Sequence, residues 1–277
     1  MHFIILVVAC IGGLYILIST LIFLFQRRLM YFPNSKRPIP ASCGLPKTKE
    51  VFLTTDDGLN LLAWYQPAKN KNSSTLIYFH GNAGDIGMRA KKIKPYIETG
   101  LGVLLTSWRG FSKNPGKPCE SGLYSDGRAA IDFLLQKGIS EDRIILYGES
   151  LGTGVAVELA SKPYFSPAAV ILEAPFTSAV DIASWRFPLI PVRHLVFDRF
   201  LSNKKIFKIG SPVLIFHGYL DKTIPITFGQ QLFNLGKTPK TSFFIKNAGH
   251  NDLYEHGALN QIMEFLGKNN LISKSGK

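Results

Sequence analysis

Cysteine is scarce: 277 residues hold three, Cys10, Cys43 and Cys119. So odd and sparse a set is no disulfide framework, and none has metal-ligand spacing. A Cys43–Cys119 bridge stays open from spacing alone; a reduced compartment is the simpler expectation. No internal repeat is visible, which sets repeat architectures aside. Acidic residues are few, 19 against 32 Lys and Arg, for a formal net charge of +13. The basic residues are scattered, as in Lys91-Lys92, Lys204-Lys205, Lys237, Lys240 and the tail from Lys268. No basic stripe is interleaved with aromatics, so nucleic-acid binding is not expected. Attraction to anionic lipid headgroups is the better use of that charge.

Charge is missing altogether from residues 3–25. Twenty-three residues suffice to cross a bilayer core. A cleaved signal peptide wants a positive n-region and a shorter apolar core. Here His2 is the only polar side chain ahead of the run. Val7-Val8-Ala9-Cys10 looks like a bacterial lipoprotein box, but it comes too early and lacks basic residues before it. A buried core helix would normally carry a polar face. Residues 3–25 therefore read as a transmembrane anchor. Arg27, Arg28, Lys36 and Arg37 follow it, and only the α-amino group precedes it. The positive-inside rule then puts the rest of the chain in the cytoplasm. Residues 26–48, rich in proline and polar side chains, read as a juxtamembrane linker. Residues 49–277 are long enough for one large domain with a sizeable core.

That domain alternates. Residues 50–55 and 59–65 flank the turn Asp56-Asp57-Gly58, a hairpin signal. Apolar strands are expected over 75–79, 103–108, 143–147, 169–172, 213–216 and 242–245. Helices are expected over 86–99, 123–136, 155–161, 228–235 and 259–266. The helix over 123–136 rests on Leu123, Ala130, Ile131, Leu134 and Leu135 at helical spacing. Strands alternating with helices of this length mean a mostly parallel sheet covered on both faces. Residues 174–210 break the rhythm with Trp185, Phe187, Pro188, Pro191, Phe197 and Phe200. They read as a small lid inserted in the domain.

Gly148-Glu149-Ser150-Leu151-Gly152 fits G-x-S-x-G between a predicted strand and a predicted helix. A serine on so sharp a turn has backbone packed close on both sides, and glycine two residues either way removes the Cβ atoms that would clash. The following helix aims its N–H groups at the place where an oxyanion would form. The bland alternative is a glycine-rich strand-to-helix turn capped by serine.

A nucleophilic serine needs a base, and the base needs an acid to hold its tautomer. In elbow folds these come in the order Ser, acid, His, each on a loop after a strand. Asp221 follows the strand over 213–216, and His250 follows the strand over 242–245. His256 is a rival base near the last helix, while Asp252 and Asp198 are rival acids badly placed relative to strand ends. His217, at a strand exit, reads as structural. Two backbone donors complete such a site. The Leu151 N–H follows the nucleophile, and the Asn82 N–H belongs to His80-Gly81-Asn82, the loop after the third strand. Asn82 or Asp85 capping that turn is compatible with the same role.

Together these residues resemble the α/β-hydrolase superfamily, and within it the membrane-anchored "alpha/beta hydrolase domain-containing" serine hydrolases. The resemblance spans nearly the whole chain. It covers the anchor with Leu29-Met30-Tyr31-Phe32-Pro33, His80-Gly81-Asn82-Ala83-Gly84, and Trp108-Arg109-Gly110-Phe111 with Ser121-Gly122-Leu123-Tyr124-Ser125-Asp126. It also covers the elbow, Glu173-Ala174-Pro175-Phe176-Thr177-Ser178 and both late loops. It implies a Ser150–His250–Asp221 triad that hydrolyses acyl esters or thioesters without metal or cofactor. Where the family has Asp-Tyr-Arg-Gly-Tyr-Gly, this chain has Ser107-Trp108-Arg109-Gly110-Phe111-Ser112, in a loop expected to face the active-site edge. The family's depalmitoylases carry a cysteine-rich lipidated N-terminus, which this chain lacks. The expected partners are the membrane and a small-molecule or lipid acyl substrate. A peptidase of the same fold and a catalytically idle scaffold are the alternatives.

Overall fold

Short apolar runs closed by glycine, proline or asparagine form the strands, and the helices between them carry apolar residues at helical spacing. The computed structural model describes residues 1–237 and 239–272. The domain end expected at residue 277 lies outside the described residues. In chain order the elements begin with helix α1 (His2–Met30) and strands β1 (Phe32–Pro33), β2 (Lys49–Thr54), β3 (Asn60–Gln66), β4 (Thr75–Phe79) and β5 (Ala83–Gly84). Helix α2 (Ala90–Glu98), β6 (Gly102–Thr106), α3 (Glu120–Gln136), β7 (Ile144–Glu149), α4 (Leu151–Ala160) and β8 (Ala169–Glu173) follow. The chain continues with α5 (Ala179–Arg186), α6 (Val192–Leu195), β9 (Val213–Gly218), α7 (Ile226–Leu235), β10 (Lys240–Ile245) and α8 (Ala258–Lys268).

Eight strands make one sheet in the order β10-β9-β8-β7-β4-β6-β3-β2. All neighbours are parallel except β2 with β3 and β3 with β6. Alternate side chains of β7 serve opposite faces, as a period of two requires. Ile144 and Leu146 join Leu134, Val155, Leu159 and Leu232 on one face. Ile145 and Tyr147 join Ile93, Tyr96, Ile262 and Phe265 on the other.

The chain steps one way from β4 to β6, then returns across β4 to β7. The helix after β4 and the helix after β7 therefore lie on opposite faces. The C-terminal ends of β4 and β7 bound the crevice at this reversal, where open α/β sheets place ligands. The loop from His80 and the turn at Ser150 leave from those two ends.

Several boundaries differ from expectation: α3 begins three residues early, at Glu120, and α4 four residues early, at Leu151. Residues 86–89 are a 3₁₀ turn, and the α-helix begins at Ala90. Strand β6 stops at Thr106, because Ser107 and Trp108 turn inward and Trp108 donates its indole N–H to His80 O at 3.0 Å. The residues after α1 run over the domain. Phe32–Pro33 pairs in parallel with Ala83–Gly84, and Leu45 is buried. Among the described residues α1 is the one helix long and apolar enough to cross a membrane, and it buries none of its residues. All three cysteines are free, so Cys43 and Cys119 make no bridge.

Candidate active site

Ser150 sits between β7 and α4 with φ +51° and ψ −113°. Such a conformation costs a non-glycine residue about 1–3 kcal/mol and persists only where its surroundings enforce it. Here its N–H donates to Glu173 O at 2.9 Å. Its carbonyl accepts from Thr153 N at 2.9 Å and from the Thr153 hydroxyl at 2.6 Å. The flanking glycines are required by contact. A Cβ on Gly152 would stand 2.1 Å from Phe79 O, and one on Gly148 2.6 Å from Gly152 O. Both neighbours are backbone and cannot swing away.

The loop after β10 brings His250 Nε2 to 3.1 Å from Ser150 Oγ. The loop after β9 brings Asp221 Oδ2 to 2.6 Å from His250 Nδ1. A carboxylate only accepts, so Nδ1 carries the proton and Nε2 is left to accept from the serine hydroxyl. The two loops are laced together. Tyr219 N donates to Ile245 O and Leu220 N to Ala248 O, both at 2.9 Å. Gly218 permits this approach, because a Cβ there would lie 2.2 Å from Ala248 O.

Asp221 is fully engaged. Its Oδ1 accepts from the N–H groups of Thr223 and Ile224, each at 2.8 Å. Its Oδ2 is shared by His250 and by His217 Nε2 at 3.0 Å. Burial opposes its charge, yet the hydrogen bonds from His217, His250 and the Ile224 N–H outweigh burial and hold the carboxyl well below the usual carboxylate range. His217 is fully buried. Its Nε2 also donates to Ile224 O at 2.9 Å. Its Nδ1 faces Gly229, where a Cβ would come within 2.4 Å. His217 thus clamps the acid from behind, a role its position at a strand exit did not disclose.

The rivals lie elsewhere. Asp252 accepts from Gly249 N at 2.6 Å and so shapes the His250 loop, with His256 beside it at 3.7 Å. Asp198 binds Arg27, Tyr31 and the Glu120 N–H.

The His80–Asn82 loop abuts the serine. A Cβ on Gly81 would meet Ser150 Cβ at 3.6 Å. Among the described residues neither the Asn82 N–H nor the Leu151 N–H has a protein acceptor. Asn82 is held by its other groups: its carbonyl accepts from Phe32 N at 2.8 Å, and its side chain donates to Met30 O at 2.7 Å. The Trp108 loop forms the floor of this region. Ser107, Trp108, Arg109 and Phe111 are buried, and Arg109 is tied to Asp126 and Asp57. The residues that depart from the family pattern thus sit beneath the His80–Asn82 loop.

One part of the site escaped sequence reasoning. Glu149, inside the elbow motif, is buried and paired with Arg89 through two bonds of 3.1 Å, and it accepts from Tyr78 OH at 2.8 Å. Lys92 bridges it to Glu173, at 3.6 and 2.6 Å. Burial works against the Glu149 carboxylate, but Lys92 and Arg89 keep its pKa well below normal. The available signal was a carboxylate closing a wholly apolar strand, which demands a buried cation.

The comparisons agree with this fold. The model of the alpha/beta hydrolase fold family matches residues 74–200. An uncharacterized protein of Mycobacterium tuberculosis (strain ATCC 25618 / H37Rv) is 40% identical over 231 residues, covering 82% of this chain and 81% of its own. Alpha/beta hydrolase domain-containing protein 17B of Homo sapiens is 34% identical over 226 residues, covering 79% and 75%. Among solved structures, the esterase Pf2001 of Pyrococcus furiosus superposes with TM-score 0.68 at 19% identity, over 86% of this chain and 97% of its own. Acetyl xylan esterase 1 of Thermoanaerobacterium sp. JW/SL YS485 gives 0.64 at 20% identity, over 80% and 83%. These relatives support hydrolase activity in general terms. With this fold, this crevice and these relatives, the chain belongs to the alpha/beta hydrolase family.

Proposed function

We propose that the chain is a membrane-anchored serine hydrolase that cleaves acyl ester or thioester bonds of lipidic or acylated substrates. The observation that carries the reading is the continuous line Ser150 Oγ, His250 Nε2, His250 Nδ1, Asp221 Oδ2, with gaps of 3.1 and 2.6 Å at either end of the ring. Ser150 Oγ attacks the acyl carbonyl while His250 Nε2 takes its proton. Asp221 holds the tautomer and stabilises the imidazolium. The tetrahedral oxyanion sits between the N–H groups of Leu151 and Asn82. His250 then gives its proton to the departing alcohol or thiol, leaving an acyl-enzyme. Water activated by the same imidazole hydrolyses that ester and frees Ser150.

The length and composition of α1 support the anchor, and the basic residues after it support a cytoplasmic domain. Residues 174–210, whose Phe197 packs on Phe23 of α1 while Phe176 and Phe200 enter the domain core, are read as a lid between the anchor and the acyl site. The test is labelling by a fluorophosphonate probe, followed by turnover of p-nitrophenyl esters of rising chain length. Labelling of the wild type, none of Ser150→Ala, and a preference for longer acyl chains are expected. A folded wild type that neither labels nor turns over any ester overturns the reading.

A further inference from the structure

Between β8 and β9 the chain packs Phe176, Ala179, Phe200 and Ile206 into the domain, but residues 187–198 leave it and climb α1. Asp198 receives Arg27 through two bonds of 2.9 and 3.1 Å. One step further, Gln26 donates to Leu195 O at 3.1 Å and accepts from Phe197 N at 2.8 Å. Phe23 and Phe197 meet with ring centres 4.9 Å apart. The last contact is Tyr15 OH donating to Leu189 O at 2.9 Å. Twelve residues of helix separate Arg27 from Tyr15, about 18 Å of rise at 1.5 Å per residue.

The tip that reaches this height is apolar. Phe187-Pro188-Leu189-Ile190-Pro191-Val192 is an uncharged run between Arg186 and Arg193. Leu189 is 83% exposed, and Pro188 and Pro191 are exposed too. Two prolines and one short helix keep this tip a tight hairpin. Its backbone is partly satisfied inside the hairpin: Ile190 N donates to Phe187 O and Val192 N to Ile190 O.

The two elements constrain each other if α1 crosses the bilayer. A boundary at Arg27 leaves residues 3–25 to span the core and puts the tip inside the membrane. A boundary at Tyr15 keeps the tip in water but leaves too few apolar residues to span, since about twenty are needed. We infer that the tip 187–192 is a second membrane-inserted element, seated in the acyl region beside α1. The inference rests on the anchor reading of α1 under the proposed function. Lipid is the partner that covers both the apolar run and the exposed flank of the helix it follows. Arg186 and Arg193 close the run on either side; Arg186 is exposed, and Arg193 reaches Asp181 at 3.5 Å.

Tryptophan quenching tests this directly. Trp64 and Trp108 are fully buried in the domain, and Trp185 is the exposed one. In a Trp185→Phe background, two full-length variants are reconstituted in vesicles: Leu189→Trp as the tip probe and Leu14→Trp as the anchor probe. The lipids carry bromine near the ester or midway along the chain. Both probes are expected to lose most of their fluorescence to acyl-chain bromine, above the constant signal of the buried pair. A quenched Leu14→Trp with an unquenched Leu189→Trp overturns the inference and leaves the anchor standing. An unquenched Leu14→Trp overturns the anchor reading and the inference with it. Pro188→Trp, at the adjacent exposed position, takes over the same decision if Leu189→Trp fails to fold.

Discussion

Asn82 donates its side-chain amide to the carbonyl of Met30 at 2.7 Å, across 52 residues of sequence. Met30 is the last residue of the apolar helix, and Asn82 follows Gly81, where a Cβ would meet Ser150 Cβ at 3.6 Å. Phe32 N adds a second bond, to Asn82 O. Asn34 N adds a third, to Gly84 O at 3.0 Å. The end of α1 is thus a strap on the loop beside Ser150, the loop proposed to hold the oxyanion.

Loosening that strap should slow chemistry more than binding. Asn82→Ala keeps the backbone N–H but loses the bond to Met30. Phe32→Pro removes the donor to Asn82 O. Small misplacements of an oxyanion donor are costly, so kcat should fall about tenfold to a hundredfold with KM little changed. Steady-state kinetics on a soluble short-chain ester measures both parameters. Unchanged kcat in both variants would show that the loop holds itself.

The acid should be nearly as indispensable as the nucleophile. Asp221→Asn preserves shape but no longer fixes the proton on His250 Nδ1, and a loss of about four orders of magnitude in kcat is expected. His217→Gln should cost less, about tenfold, since Asp221 keeps both backbone donors and His250. The ranking Ser150→Ala, Asp221→Asn, His217→Gln, read from kcat/KM, separates a triad from a simple cluster of polar residues.

Much of this site could be read from the chain, because its signals are local. The strand before the elbow is a short apolar run, and Gly148 and Gly152 sit where a Cβ would strike backbone. Asp221 and His250 each lie just beyond a strand end. What escaped reading is long-range. The Arg89–Glu149 pair joins residues 60 apart, and the Asn82–Met30 bond joins a loop to a helix terminus. No periodicity encodes such a meeting, which depends on strand order. His217 reads as structural, but the group it holds is not legible. Its neighbours in sequence are apolar strand residues, and only the turn at Asp221 brings the carboxylate back to it.

Breaking the buried ion cluster should destabilise the whole fold. Arg89→Leu leaves the buried Glu149 carboxylate with only Lys92 and Tyr78. Removing one partner of a buried pair costs about 3–5 kcal/mol. Urea unfolding should show that loss in the midpoint with little change in slope. A change under about 1 kcal/mol would mean that Lys92 alone satisfies the carboxylate.

Acid should weaken the fold through His80 before most carboxylates titrate. His80 is fully buried, its Nδ1 donates to Gly81 O at 2.7 Å, and burial lowers its pKa from 6.5 to about 3. The unfolded chain takes up this proton near pH 6.5, while the folded chain refuses it down to about pH 3. In that window the unfolded state binds more protons, so stability falls as pH falls, by up to about 1.4 kcal/mol per pH unit. Above pH 6.5 both states hold a neutral ring, and this residue contributes no slope. His80→Asn keeps a donor for Gly81 O but cannot titrate. It should lower stability at neutral pH through lost contacts with Trp108 and Phe111, yet flatten the acid limb by about one proton. Denaturant midpoints measured across the window decide the matter: parallel limbs in the two proteins would mean that the imidazole charges inside the fold.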